Sequence, residues 1–182
     1  YRNLKKSRAF DDLRVFTVGR EAAPFLWNPL RPPPGVHPQT WIQIISEVLE
    51  KTHVSGQGVA DILIEHTDRE YESLGFYDSE GSVSKYPNFH EVRMRVERAR
   101  VGGRRALWRD SCLRILRSFT FGPAAVAFNA REPVLLEELL SQPVILELDM
   151  ELPRAVRTFF TEVILRWIHL YRLGQGDPNR LR

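Results

Sequence analysis

Cysteine is nearly absent from this chain of 182 residues: Cys112 is the single one. One thiol cannot close an internal disulfide, so a reducing cytoplasm is the expected compartment. Long apolar runs are missing too. The greasiest stretch, Val156 to Tyr171, is broken by Arg157, Glu162, Arg166 and His169. A membrane span needs roughly 18–20 apolar residues, so no membrane association is expected. The first residues are polar and basic without an apolar core, unlike a secretory leader. There is no GxxxxGK[ST] and no GxGxxG element. The nearest glycine groups, Gly56-Gln57-Gly58 and Gly102-Gly103, follow no strand and lead into no Lys-Ser/Thr; they read as helix breaks. Metal-ligand spacing is lacking as well, because His37, His53, His66, His90 and His169 are scattered and no cysteine pair exists. Ser111 and Cys112 fall inside a helical pattern, not on a sharp strand-to-helix turn. No catalytic residue and no metal ligand is therefore assigned, and Cys112 reads as a small core residue.

What remains is an ordinary globular composition, 43% hydrophobic and 27% charged, with a formal net charge of +3. That is enough apolar material for a real core. The distribution of charge is more informative than its sum. Arginine crowds between Arg93 and Arg117, while acids gather at Glu65–Glu72 and at Glu132–Glu138. An arginine-dense segment is compatible with a phosphate-binding surface.

Leu13 to Val18 is short, β-branched and aromatic and stops at Gly19, which predicts a buried strand. Ala22 to Gly35 is proline-rich, and prolines without backbone donors exclude a helix or central strand there. Trp41, Ile44, Ile45, Val48 and Leu49 recur as one helical face. A second helix is predicted from Gln57 to Leu74, with Val59, Ile62 and Leu63 inward and a solvated polar end at Glu65, Asp68, Arg69, Glu70 and Glu72. Gly75 to Tyr86 reads as a loop, with Asp78, Ser79, Glu80, Gly81 and Ser82 as turn residues. Asn88 and Glu91 form a capping-box pattern that opens a third helix. A fourth covers Arg104 to Phe119 with Trp108, Cys112, Ile115, Leu116 and Phe119 at helical spacing. Phe121-Gly122-Pro123 reads as a turn and Glu132 to Leu140 as a short helix.

Pro143 to Leu148 is the second predicted buried strand. Glu151 to Leu173 is the longest helix, with apolar residues paired every four positions; Gly174-Gln175-Gly176-Asp177-Pro178 ends it. Strand, helical block, strand, helix is the order of an α/β chain with parallel strands and helical crossovers. Glu147 and Asp149, at the end of the second strand, either face a ligand crevice or form a turn in which Asp149 caps the next helix.

Arginine forks bind phosphate oxygens bidentately. Arg104, Arg105 and Arg109 cluster just after the Gly102-Gly103 hinge and are the candidate contacts for phosphate, of nucleotide or of DNA. A solvated helix face is the plainer reading of the same arginines.

Several segments, in order, resemble the HerA/FtsK superfamily of P-loop ATPases, which includes type IV secretion ATPases. Tyr1-Arg2-Asn3-Leu4 looks like the tail of the strand that follows that family's phosphate-loop helix. Arg14-Val15-Phe16-Thr17-Val18-Gly19-Arg20 resembles its second short strand, and Phe25-Leu26-Trp27-Asn28-Pro29-Leu30 its FNPL element, with Trp27 in place of the usual phenylalanine. Leu113 to Asn129, Leu139-Leu140 and Pro143 to Asp149 resemble the segments leading to the strand before its long helix. Gly75 to Arg104 departs from the family pattern and reads as an insertion.

The resemblance implies a partial RecA-like P-loop NTPase domain, α/β with parallel strands and an inserted helical bundle. Residues 1–36 would hold the strand and proline-rich connection, 37–121 the helical insertion, and 122–182 the short helix, strand and long helix. It implies a segment of a double-stranded DNA translocase or helicase, ring-forming as a hexamer, using ATP and Mg2+ and working with a nuclease partner. A secretion or conjugation ATPase shares that chemistry. The phosphate loop and the acidic magnesium-binding strand would lie outside residues 1–182, so the chain is read as an excerpt, inactive alone and prone to aggregate. The alternative is a non-catalytic helical module that binds nucleic acid or a protein partner through its arginine-rich face.

Overall fold

The computed structural model describes residues 12–78, 85–130 and 132–175. Tyr1-Arg2-Asn3-Leu4, the turn residues Ser79 to Ser82 and Gly176-Asp177-Pro178 lie outside them. Strand β1 (Arg14–Val18) is followed by helices α1 (Pro38–His53), α2 (Gln57–Ser73), α3 (Phe89–Arg98), α4 (Arg104–Thr120), α5 (Gly122–Phe128) and α6 (Leu136–Leu139), then strand β2 (Val144–Leu148) and helix α7 (Arg154–Gly174). The chain is helix-rich α/β, and its two strands pair in parallel, with Val15 opposite Ile145 and Thr17 opposite Glu147.

The alternation of the ladder sets which edges are used. Arg14 N–H donates to Pro143 C=O at one end, and Asp149 N–H to Val18 C=O at the other. Arg14, Phe16 and Val18 therefore turn their backbone groups toward β2, while Val144, Leu146 and Leu148 turn theirs away from β1. The far edge of β1 is closed at Thr17, which donates to Ala23 and accepts from Phe25. Among the described residues no hydrogen bond reaches the far edge of β2. Phe16, Val144, Leu146 and Leu148 pack on the core. Val15, Thr17, Ile145 and Glu147 occupy the other face and are half-buried. Both strands were expected to be buried. β2 is half-buried along its whole length, on both faces alike, and its far edge has no hydrogen-bond partner among the described residues.

Helix α7 joins the parts of the molecule. Phe160 meets Phe25 and Trp27 edge-on, with centroids 5.8 and 5.6 Å apart, on the side of the proline-rich connection. Its neighbour Phe159 meets Phe119 at 4.7 Å and Phe89 at 5.9 Å, on the side of the helical block. Strand, connection, block and long helix thus share one apolar cluster.

The proline-rich connection is buried, not superficial: Phe25, Trp27, Asn28, Pro29 and Leu30 are all enclosed. Buried carbonyls need donors, and aromatic side chains provide them. Trp41 Nε1 donates to Pro29 C=O at 2.8 Å, Trp167 Nε1 to Arg31 C=O at 3.1 Å, and the Tyr71 hydroxyl to Leu30 C=O. Asn28 bridges outward, donating to Pro87 C=O at 2.8 Å and accepting from Leu30 N–H at 3.0 Å.

Several local readings are corrected. In α1 the buried isoleucines are Ile42 and Ile45, with Ile44 half-buried. Gly58 is no helix break. It lies in the first turn of α2 against the Trp108 indole, where a Cβ would collide. The expected turn after Phe121 opens α5, whose Ala124, Ala127 and Phe128 are buried. The helix predicted from Glu132 shrinks to α6, because Pro133 has no donor and Val134 N–H is taken by Leu26 C=O at 2.7 Å. Helix α7 begins at Arg154, with Pro153 at its cap position. Asp149 caps the preceding turn, accepting Glu151 N–H at 2.8 Å, and does not cap the helix. The predicted capping box holds: Glu91 N–H donates to Asn88 Oδ1 and Asn88 N–H to Glu91 Oε2, each at 3.0 Å.

Candidate phosphate-binding cleft

The arginine segment is in part a solvated face, with Arg98, Arg100, Arg104, Arg105, Arg114 and Arg117 exposed, and in part engaged within the chain. Helix α2 runs beside α3 and α4, and its acidic end is laid against the arginines. Arg95 Nε contacts Glu70 Oε1 at 2.5 Å, Arg69 contacts Glu65 at 2.9 Å, and Arg105 pairs with Glu65 as well. The polar end of α2, expected to be solvated, is therefore an ionic seam, with His66, Thr67 and Tyr71 buried beneath it. Burial works to raise the Glu65 carboxyl, but the hydrogen bond and charge of Arg105 outweigh it and hold the group below the usual carboxylate range.

The three candidate arginines are not brought together. Arg105 lines a cleft between α2, α3 and the loop leading into α4. Arg104 stacks over the Trp108 ring, its guanidinium carbon 5.3 Å from the centroid. Arg109 turns to Asp110, at 2.8 Å, and to Ala99 C=O, at 3.3 Å. The cleft has a volume of about 1010 Å³, and Arg69, Arg95, Arg98 and Arg100 line it with Arg105. The sequence reading placed Arg95, Arg98 and Arg100 in the basic segment but gave no reason to prefer them. Their convergence depends on how α3 and its trailing loop pack on α2, which helical periodicity does not encode.

His66, 3% exposed, lines the same cleft, and its Nδ1 is buried without a hydrogen-bond partner. Burial lowers its pKa, opposed by the charge of Glu65. Arg98 and Arg100 are exposed and make no hydrogen bond or ion pair among the described residues.

At the C-terminal ends of the strands, Arg20 pairs with the buried Asp149. The Glu151 N–H, helped by Arg20 against the effect of burial, holds the Asp149 carboxyl below its ordinary range. Thr17 donates to Glu147 at 3.2 Å on the outer face of the sheet. Both acids are thus engaged within the chain. Cys112 is 1% exposed and burial pushes its thiol up to about 12, which suits a packing residue and not a nucleophile. Among the described residues no group of three or more His, Cys, Asp or Glu side chains could hold a metal ion. Among them, too, no helix is long and apolar enough to cross a membrane.

No protein-family model, no curated protein and no solved structure matches the chain.

Proposed function

We propose that this chain is the central segment of a HerA-type, ATP-driven translocase of double-stranded DNA, with a partial RecA-like arrangement. The observation that carries the reading is the parallel register of Val15 with Ile145, joined by a long, mainly helical crossover. Parallel strands linked in this way belong to α/β sheets that are normally covered on both faces. Here β2 is only half-buried, and its far edge has no hydrogen-bond partner among the described residues. That matches a sheet continued by further strands, among them the one bearing the phosphate loop. The buried Phe25 to Leu30 element and the α7 stripe agree with the segments that resemble the superfamily.

In this reading ATP and Mg2+ are bound by elements outside residues 1–182, between subunits of a hexameric ring. Arginines of the helical block contact phosphate without reading sequence, since phosphate contacts position a protein and carry no base information. A nuclease partner and a cytoplasmic site of action belong to the same proposal. The runner-up, a non-catalytic module that uses the arginine face, is favoured by the cleft itself.

The test is hydrolysis of ATP by the complete gene product, with and without duplex DNA. Hydrolysis stimulated by duplex, and reduced at several salt concentrations by Arg105→Ala, supports the motor. Absence of any hydrolysis, with duplex binding retained, supports the module instead.

A further inference from the structure

We propose that the cleft between α2, α3 and the Ala99–Gly103 loop is a binding site for a compact anion carrying several linked phosphate groups. It shares Arg105 with the motor reading but goes beyond it, because it concerns binding of a compact ligand by the helical block and requires no hydrolysis.

The first support is convergence. The arginines come from four places: Arg69 from α2, Arg95 and Arg98 from α3, Arg100 from the loop and Arg105 from α4. They surround one concavity and do not form a line along the surface. A row of cations suits an extended polymer; cations closing on a bounded volume suit a compact ligand. The volume of about 1010 Å³ lies at the upper end of what small-molecule sites occupy.

Charge balance is the second support. Five arginines face the three glutamates Glu65, Glu70 and Glu91. Each glutamate is already paired: Glu65 with Arg69 and Arg105, Glu70 with Arg95, and Glu91 with Lys85. These pairs hold Arg69, Arg95 and Arg105 at the wall and leave Arg98 and Arg100 as the forks available to an incoming phosphate.

His66 gives the third, independent of the arginines. A buried ring nitrogen without a partner is costly. Nδ1 is sealed off, so the ring can serve a ligand only through Nε2, as a donor to a phosphate oxygen in the tautomer that carries its proton there. Beside these groups, Leu74, Met94 and Val101 form an apolar wall. It is where the base and sugar of a nucleotide would rest, so a nucleoside triphosphate and inorganic triphosphate share the arginines but differ in the use of this wall.

Calorimetric titration of the chain with inorganic triphosphate and with ATP, both without divalent metal, tests the proposal. Both ligands are expected to bind, ATP more tightly if the apolar wall is used. The double variant Arg98→Ala/Arg100→Ala, whose exposed side chains leave the core untouched, should weaken binding at least tenfold. The control Arg114→Ala/Arg117→Ala, on the part of α4 away from the cleft, should leave it within twofold; circular dichroism checks that both fold. Equal losses in the two variants would mean general attraction to arginine and would overturn the site. So would failure of the wild-type chain, shown by circular dichroism to be folded, to bind either triphosphate at millimolar concentration. Binding of a 20-base-pair duplex that triphosphate does not displace would assign the cleft to nucleic acid instead.

Discussion

Val15 and Ile145 lie side by side in parallel register although about 130 residues separate their strands. No turn can bring them together; the pair forms across a crossover that contains the whole helical block. The pair is the structural basis for reading the chain as α/β, and β1, β2 and α7 are expected to lose structure together with the block in one cooperative step.

Gly58 and Trp108 are a lock between α2 and α4. Alanine is the better helix former by about 1 kcal/mol, yet a Cβ at position 58 would strike the indole. Gly58→Ala is expected to destabilise the chain by about 1–3 kcal/mol in urea unfolding, as overpacking does. With Trp108→Ala in place the same change should become neutral or stabilising. Additive effects would show that the two residues do not touch.

Trp41 supplies a buried donor to a carbonyl that has no backbone partner. Trp41→Phe keeps the ring but strands the Pro29 oxygen, and a loss of about 1–3 kcal/mol is expected. Denaturant unfolding at constant m-value checks it; an unchanged midpoint would mean that water or another donor serves Pro29.

Val54 ends α1 in the left-handed region, with φ of 49°, and is 93% exposed. A β-branched residue is strained there, by about 1–2 kcal/mol. Glycine removes the strain and returns part of the gain as unfolded-state freedom. Val54→Gly is expected to raise stability by about 0.5–1 kcal/mol, read as a higher melting temperature.

Burial lowers the pKa of both His53 and His66 in the folded chain relative to 6.5. Between the folded values and 6.5 the unfolded chain binds more protons, so stability rises with pH across that window. The contribution is complete above pH 6.5 and is lost as pH falls through the folded pKa values. Urea unfolding at pH 7.5 and 5.5 should show the loss, and His53→Gln/His66→Gln should reduce it. An equal loss in the variant would point to other groups.

The helices were legible where one signal decided them. Asn88 and Glu91 spell out a capping box, and the four-residue repeat of α7 marks its buried stripe. The proline-rich connection was legible as a break but not as a core element, because its burial depends on Trp41, Tyr71 and Trp167 arriving from distant helices. Segment α5 was hidden behind Gly122-Pro123, which opens a helix as readily as a turn. At the cleft, composition pointed to the arginine segment but not to its members. Arg104 and Arg109 are engaged by Trp108 and Asp110, whereas Arg98 and Arg100 gain their place from a loop path that periodicity does not describe.

The central claim is that β1 and β2 belong to a larger parallel sheet. Residue-resolved amide hydrogen exchange on the complete gene product tests it at the far edge of β2. Leu146 and Leu148 are predicted to exchange as slowly as Phe16, whose amide faces β2 inside the ladder. Exchange of both at the rate of an exposed loop, with Phe16 still protected, would show a two-stranded sheet that nothing extends and would contradict the motor reading.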